Sequence, residues 1–149
     1  MPEATWQSGS DGREPPGADI VLLNAREEVL LVLRDDKPEI PYPNTWALLG
    51  GYLEPGETPT AAVLREIAEE IGVHLTPPPL FRTYRWPECT EHIFWRRLEL
   101  DPARVVLAEG QRLAWFERGA LAGLTFASHY RQILDDFFAC APHRPSAVG

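Results

Sequence analysis

Cysteine is scarce in this chain. Cys89 and Cys140 are the only two in 149 residues, too few for a disulfide framework, and their separation matches no metal-site spacing. A reducing cytoplasm is therefore the expected compartment. Long apolar runs are also missing. No stretch approaches the ~18 consecutive apolar residues that a membrane span needs, and residues 1–17 lack the apolar core of a signal peptide. Basic charge is in short supply, with 14 Lys and Arg against 22 Asp and Glu and a formal net charge of −8. That balance argues against a protein that grips long nucleic acid by its phosphates. It leaves room for a small anionic substrate, because a bound cation can supply positive charge locally. No internal repeat is visible.

What is present describes one ordinary globular domain: hydrophobic residues make up 44% and charged residues 24%. Residues 1–17, rich in Gly, Pro, Ser and charge, read as a disordered arm that contributes nothing to the chemistry. The domain is expected over 18–140, with a flexible polar tail at 141–149. Within it, residues 20–23 and 29–33 read as strands joined by a turn at 24–27. Residues 34–44 carry Pro38, Pro41 and Pro43 and read as a loop. A strand over 46–49 runs into Gly50-Gly51. Thr58 as N-cap, Pro59 in the first turn and Gly72 as stop delimit a helix. Strands follow at 80–86, 92–100 and 112–116, and the spacing of Ile133, Leu134, Phe137 and Phe138 predicts a closing helix over 128–140.

The first helix carries the chemistry. At ~100° per residue, Val63, Leu64, Ile67, Ala68 and Ile71 form an apolar stripe. Glu66, Glu69 and Glu70 gather on roughly the opposite side, with the small Ala62 among them. Three like charges at i, i+3 and i+4 repel by a few tenths of a kcal/mol per pair. Such a cluster is either a solvated acidic face or a set of oxygen ligands for a hard divalent cation such as Mg²⁺. The neighbours favour the second. Gly50 and Gly51 let the backbone approach that face and offer a carbonyl oxygen. Arg65 can hold carboxylates in its planar fork, with Glu57 as a partner.

Gly51, Glu57, Arg65-Glu66-Ile67-Ala68-Glu69-Glu70-Ile71-Gly72-Val73 match, at every specified position, glycine-x5-glutamate-x7-arginine-glutamate-aliphatic-x-glutamate-glutamate-x-glycine-aliphatic. At average residue abundance, chance places such a set in a chain of this length with odds on the order of one in a million. The motif resembles the Nudix box, and the order of elements over 18–140 also looks like a Nudix domain. The resemblance implies an α/β fold with a mixed sheet sandwiched between helices. It implies hydrolysis of a phosphoanhydride bond in a nucleoside diphosphate-linked compound. Glu66, Glu69 and Glu70 then match the metal ligands, Gly50 the glycine whose carbonyl joins them, and Arg65 with Glu57 the supporting ion pair. Mg²⁺, or Mn²⁺ in its place, is the implied cofactor.

Glu109-Gly110-Gln111 resembles the segment of MutT-type Nudix enzymes in which a glutamate outside the box reaches the metals and activates water. Glu109 is thus a further catalytic and metal-binding candidate, with Glu88 and Glu91 as competitors. Arg34 sits where MutT-type enzymes place a phosphate-contacting arginine. Gly51, Trp46 and His129 complete the expected substrate contacts, and Tyr42 and Trp86 are further aromatics able to stack a base. Ser128-His129 stand where the oxidised-guanine-selective enzymes carry an asparagine, a departure from that specificity. His74 and His92 read as structural, and the tail His143 carries no reading. A nucleoside triphosphate is the first expectation for substrate. A nucleoside diphosphate sugar comes second, and a non-catalytic nucleotide-sensing module third. Monomer and homodimer are both compatible with the sequence, and neither long nucleic acid nor membrane is expected as a partner.

Overall fold

The computed structural model describes residues 3–9 and 13–140. The expected tail at 141–149, with His143, lies outside them. Seven strands form one mixed sheet: β1 (Gly17–Leu23), β2 (Val29–Leu33), β3 (Trp46–Ala47), β4 (Leu49–Tyr52), β5 (Leu80–Arg85), β6 (Thr90–Arg97) and β7 (Arg112–Phe116). The order is β3-β2-β1-β6-β5, with β4 paired to β1 and β7 to β2. The helices are α1 (Pro59–Ile71) and α2 (Tyr130–Ala139), with two short 3-10 turns at Pro102–Arg104 and Arg118–Gly123 that periodicity did not reveal. Among the described residues no helix is long and apolar enough to cross a membrane.

The contacts divide the chain into two compact units, Met1–Val21 with Leu49–Trp95, and Leu22–Leu48 with Arg96–Gly149. In the first, β1 and β4 run antiparallel with Ala18 opposite Gly51 and Asp19 opposite Gly50. β5 and β6 form the second hairpin, with an irregularity between Leu80 and Arg82. Helix α1 begins as its caps dictate: the Thr58 side chain accepts from Ala61 N, and Gly72 N–H closes the helix onto Ala68 O. Its buried residues are Pro59, Ala62, Val63, Ile67 and Ile71. Ala62 therefore belongs to the packed side, not to the ligand-facing one expected from the wheel. Leu64 and Ala68 are only half-buried.

In the second unit, β2 lies between β3 and β7, antiparallel to both. The stretch expected as one strand over 46–49 is two, because Leu48 interrupts pairing and the chain passes from β2 as partner to β1. Ile133, Leu134, Phe137 and Phe138 of α2 are buried as their spacing predicts. The helix starts at Tyr130 rather than Ser128, since Ser128 adopts φ 45°, outside the right-handed region.

Residues expected to form a free arm are bonded to the first unit. Trp6 N donates to Glu57 O at 2.8 Å, Arg13 Nη2 to Trp86 O at 2.9 Å, and Leu53 N to Pro16 O at 2.8 Å. A segment poor in apolar residues is held here by hydrogen bonds, two between main chains and one from the Arg13 side chain, which composition does not register.

Candidate active site

Two of the three box glutamates, Glu66 and Glu70, are drawn in against β4. Glu66 lies against β4, and its side chain is only 18% exposed. A methyl group at Gly51 would stand 2.6–2.8 Å from the Glu66 carboxylate carbon and oxygens. Gly50 N donates to Glu70 Oε1 at 3.0 Å. Two consecutive glycines thus bring main chain and carboxylates together where no side chain fits. Glu69 is the outward member, 58% exposed.

Arg65 organises these acids. Its Nε donates to Glu57 Oε2 at 2.7 Å and its Nη2 to Glu57 Oε1 at 3.0 Å, a planar two-point pairing. Nη1 reaches Glu66 Oε1 at 2.9 Å and Glu69 Oε2 at 3.2 Å, while Nη2 also donates to Tyr52 O at 3.1 Å. Glu57 accepts from Glu54 N at 2.7 Å as well. The hydrogen bonds from Arg65 hold the Glu57 carboxyl below the usual carboxylate range, and the same pairing raises Arg65. Burial pushes Glu66 the other way, above the usual range, with the negative charge of Glu69 adding to it against the lowering from Arg65.

More acid lies in the same unit, and the sequence reading missed its arrangement. Asp19 on β1 and Glu91 on β6 are buried, at 3% and 6% exposure. A Cβ at Gly17 would stand 3.7 Å from Asp19 Oδ2 and 3.9 Å from Glu91 Oε2. Glu91, expected in a loop, is a strand residue that accepts from Trp86 Nε1 at 2.7 Å. The cue for Asp19 was a carboxylate inside the apolar run Gly17–Leu23, which is buried throughout. Cys89 senses this charge: its thiol is pushed up to about 11 by burial first, then by Glu91, Glu14, Glu88 and Asp19. Tyr52 is pushed up by its hydrogen bond to Glu14 and by burial.

Among the described residues no three His, Cys, Asp or Glu side chains are arranged as a finished metal cage. The donor set nonetheless suits a hard divalent cation: all oxygen, in excess of local positive charge, and bordering a glycine pair. Glu66, Glu69 and Glu70 with the Gly50 carbonyl would hold the ion.

The other expected residues divide differently. Trp46 is not placed for stacking on a substrate. It is 7% exposed, and its ring meets Phe116 edge-to-face at 4.7 Å. A short strand next to a loop leaves a tryptophan inside when its neighbours supply aromatic surface. Arg34 binds its own loop, donating to Pro41 O at 2.7 Å and Tyr42 O at 3.3 Å. Trp86 stacks on Tyr84, centroids 5.1 Å apart. Tyr42 is 54% exposed. His129 is the residue before α2 and makes no side-chain cap bond there. Glu109 is exposed in the second unit. The segment that carries it is pinned by Gln111, whose N donates to Leu33 O at 2.8 Å and whose Nε2 donates to Arg34 O at 2.8 Å and Asn44 Oδ1 at 2.9 Å.

The two glycines predict separable effects. At Gly50, φ is 144° and a methyl would meet Ala18 O at 2.3 Å on the paired strand. Gly50→Ala should therefore cost about 3 kcal/mol of stability, read as a fall in melting temperature of roughly 6–12 °C. At Gly51 the obstacle is the end of a side chain, so Gly51→Ala should displace Glu66 and lower turnover while changing stability by less than about 1 kcal/mol. A Gly50→Ala protein that melts with wild type rules out this account of the strand contact.

The NUDIX domain profile matches residues 13–137. A protein of Bacillus subtilis (strain 168), provisionally named as an 8-oxo-dGTP diphosphatase, is 31% identical over 121 residues, covering 80% of this chain and 77% of that protein. The human 8-oxo-dGDP phosphatase NUDT18 is 34% identical over 105 residues, 68% of this chain but 32% of its own length. The structure of a MutT protein from Methanosarcina mazei Go1 superposes with a TM-score of 0.70 at 20% identity, covering 88% of this chain and 97% of that one. With a profile spanning most of the chain and a box complete at every specified position, the chain belongs to the Nudix family of hydrolases.

Proposed function

We propose that this protein hydrolyses a phosphoanhydride bond in a small nucleoside diphosphate-linked compound with Mg²⁺ as cofactor, and that a nucleoside triphosphate is its substrate class. The observation that carries the reading is the Arg65 fork, which clasps Glu57 and reaches Glu66 and Glu69 beside the Gly50-Gly51 pair. This is a carboxylate set held in place before any ligand arrives, the preorganisation that phosphoryl-group hydrolysis demands. The name of the Bacillus relative, an 8-oxo-dGTP diphosphatase, supports the triphosphate, while that of the human relative, an 8-oxo-dGDP phosphatase, supports a nucleotide phosphoanhydride more broadly.

A divalent cation bound here would supply charge neutralisation of the diphosphate and lower the pKa of water. Glu66 and Glu70 would hold it. Arg65 keeps Glu66 and Glu69 from swinging away, and Glu109 takes the proton from the attacking water. The water oxygen forms a bond to phosphorus, the bridging P–O bond breaks, and pyrophosphate leaves from a nucleoside monophosphate. A reducing cytoplasm suits Cys89 and Cys140, both of which are unpaired.

Incubating the purified protein with dGTP, 8-oxo-dGTP and a nucleoside diphosphate sugar, with Mg²⁺ and with excess chelator, tests the reading. Nucleoside monophosphate should accumulate from the triphosphates and cease on chelation. Because Ser128-His129 replace the expected asparagine, we anticipate less than about a tenfold preference for the oxidised base, within what one altered base contact supplies. Cleavage of the sugar compound alone moves the substrate to the second class. Nucleotide binding without turnover makes the protein a sensing module.

A further inference from the structure

We propose that the segment Glu3–Gly9, ahead of the family-matched residues 13–137, is a strap that positions the box arginine through Glu57. The proposal rests on the functional reading above. Trp6 N donates to Glu57 O at 2.8 Å and Gly56 N donates to Trp6 O at 2.7 Å, two oppositely directed main-chain bonds that hold Trp6 to the Gly56-Glu57 turn. Three residues earlier, Glu3 Oε1 accepts from Thr60 N at 2.9 Å. That amide belongs to the first turn of α1, where no intrahelical acceptor exists and where a carboxylate also meets the positive end of the helix dipole. The strap therefore grips the chain on both sides of the helix start.

Between those grips sits Glu57. Its main-chain carbonyl is held by Trp6 and its N–H by Glu54 O at 3.0 Å, and its carboxylate is shared between Glu54 N and Arg65. Arg65 in turn holds Glu66 and Glu69. The path from Trp6 to the metal-facing carboxylates thus runs Trp6, Glu57, Arg65, Glu66, with each step a hydrogen bond of 2.9 Å or less. Without these two bonds, Gly56 and Glu57 each lose a main-chain partner and the turn that presents Glu57 is set only by its own local bonds. The Arg65 fork then has a less defined acceptor, and the carboxylates it orients lose their common geometry. A segment expected from composition to be irrelevant to the chemistry becomes part of its support.

The test uses full-length variants. Trp6→Pro removes the N–H that binds Glu57, whereas Trp6→Phe keeps both main-chain bonds and an aromatic ring. Mn²⁺ affinity without nucleotide, from the paramagnetic signal of the free ion, is measured beside kcat and KM. Trp6→Pro should weaken Mn²⁺ binding and lower kcat by about tenfold, the low end for residues that orient ligands. KM should move by less than about twofold, as expected when ground-state nucleotide contacts are untouched. Trp6→Phe should stay close to wild type. In a Glu57→Gln background, Trp6→Pro should cause no further loss, because two changes on one path do not add. The proposal is overturned if Trp6→Pro binds Mn²⁺ and turns over like wild type, or if its cost is undiminished in the Glu57→Gln protein. A wild-type protein that neither binds Mn²⁺ nor cleaves nucleotide overturns the functional reading and this proposal together, and wild type alone reveals that case.

Discussion

Glu69→Gln and Glu70→Gln should each lower turnover by at least about 100-fold, since loss of a metal ligand removes several kcal/mol of transition-state stabilisation. The fold should survive both. Glu70 accepts from Gly50 N through Oε1, and glutamine keeps an oxygen able to accept that bond. Glu69 is 58% exposed and pairs with Arg65 at 3.2 Å. An exposed pair of this kind contributes about 0–1 kcal/mol, and relief of like-charge repulsion offsets it by a few tenths of a kcal/mol. Melting temperature should therefore hold within a few degrees while turnover collapses. Either variant cleaving substrate at near wild-type rate removes its glutamate from the metal site.

Glu109→Gln should lower kcat by roughly 10²–10⁴-fold, the range for loss of a general base. KM should change little, because the loss falls on the transition state. The side chain is exposed, so the substitution threatens no core contact. Gln111 keeps its bonds to Leu33, Arg34 and Asn44, which leaves the backbone path unaltered. The parallel change Glu88→Gln, also at an exposed position, should be mild. Glu91→Gln is the informative control. Glu91 is buried, accepts from Trp86 Nε1 and shares the neighbourhood of Asp19. A crippled Glu91→Gln beside a normal Glu109→Gln would transfer the base to β6 and weaken the argument for a triphosphate substrate.

Local sequence determined a good deal of this molecule. Helix α1 was legible because its signals act over three or four residues: the Thr58 cap, Pro59 in the first turn and the stop at Gly72. The Glu57–Arg65 partnership was legible because a fixed turn and two helical turns separate the residues. The apolar spacing of Ile133, Leu134, Phe137 and Phe138 announced α2. Glycines 50 and 51 declared a close approach of main chain to the acidic face of α1, where Glu70 and Glu66 meet them.

What lay beyond reach depended on atoms distant in the chain. Trp46 becomes core because Phe116, seventy residues on, meets its ring. Arg34 turns to Pro41 and Tyr42 because a loop with positive φ at Tyr42 and Asn44 presents its carbonyls. Asp19 and Glu91 share one buried neighbourhood although seventy-two positions separate them. The strap at Trp6 exists only because residues 56 and 57 supply it with main-chain partners. Caps, turns and periodicity are short-range forces and are written locally in the residues that exert them. Burial, ring packing and main-chain pairing across long separations are decided only when the whole chain has folded, since each needs a partner that no local pattern specifies.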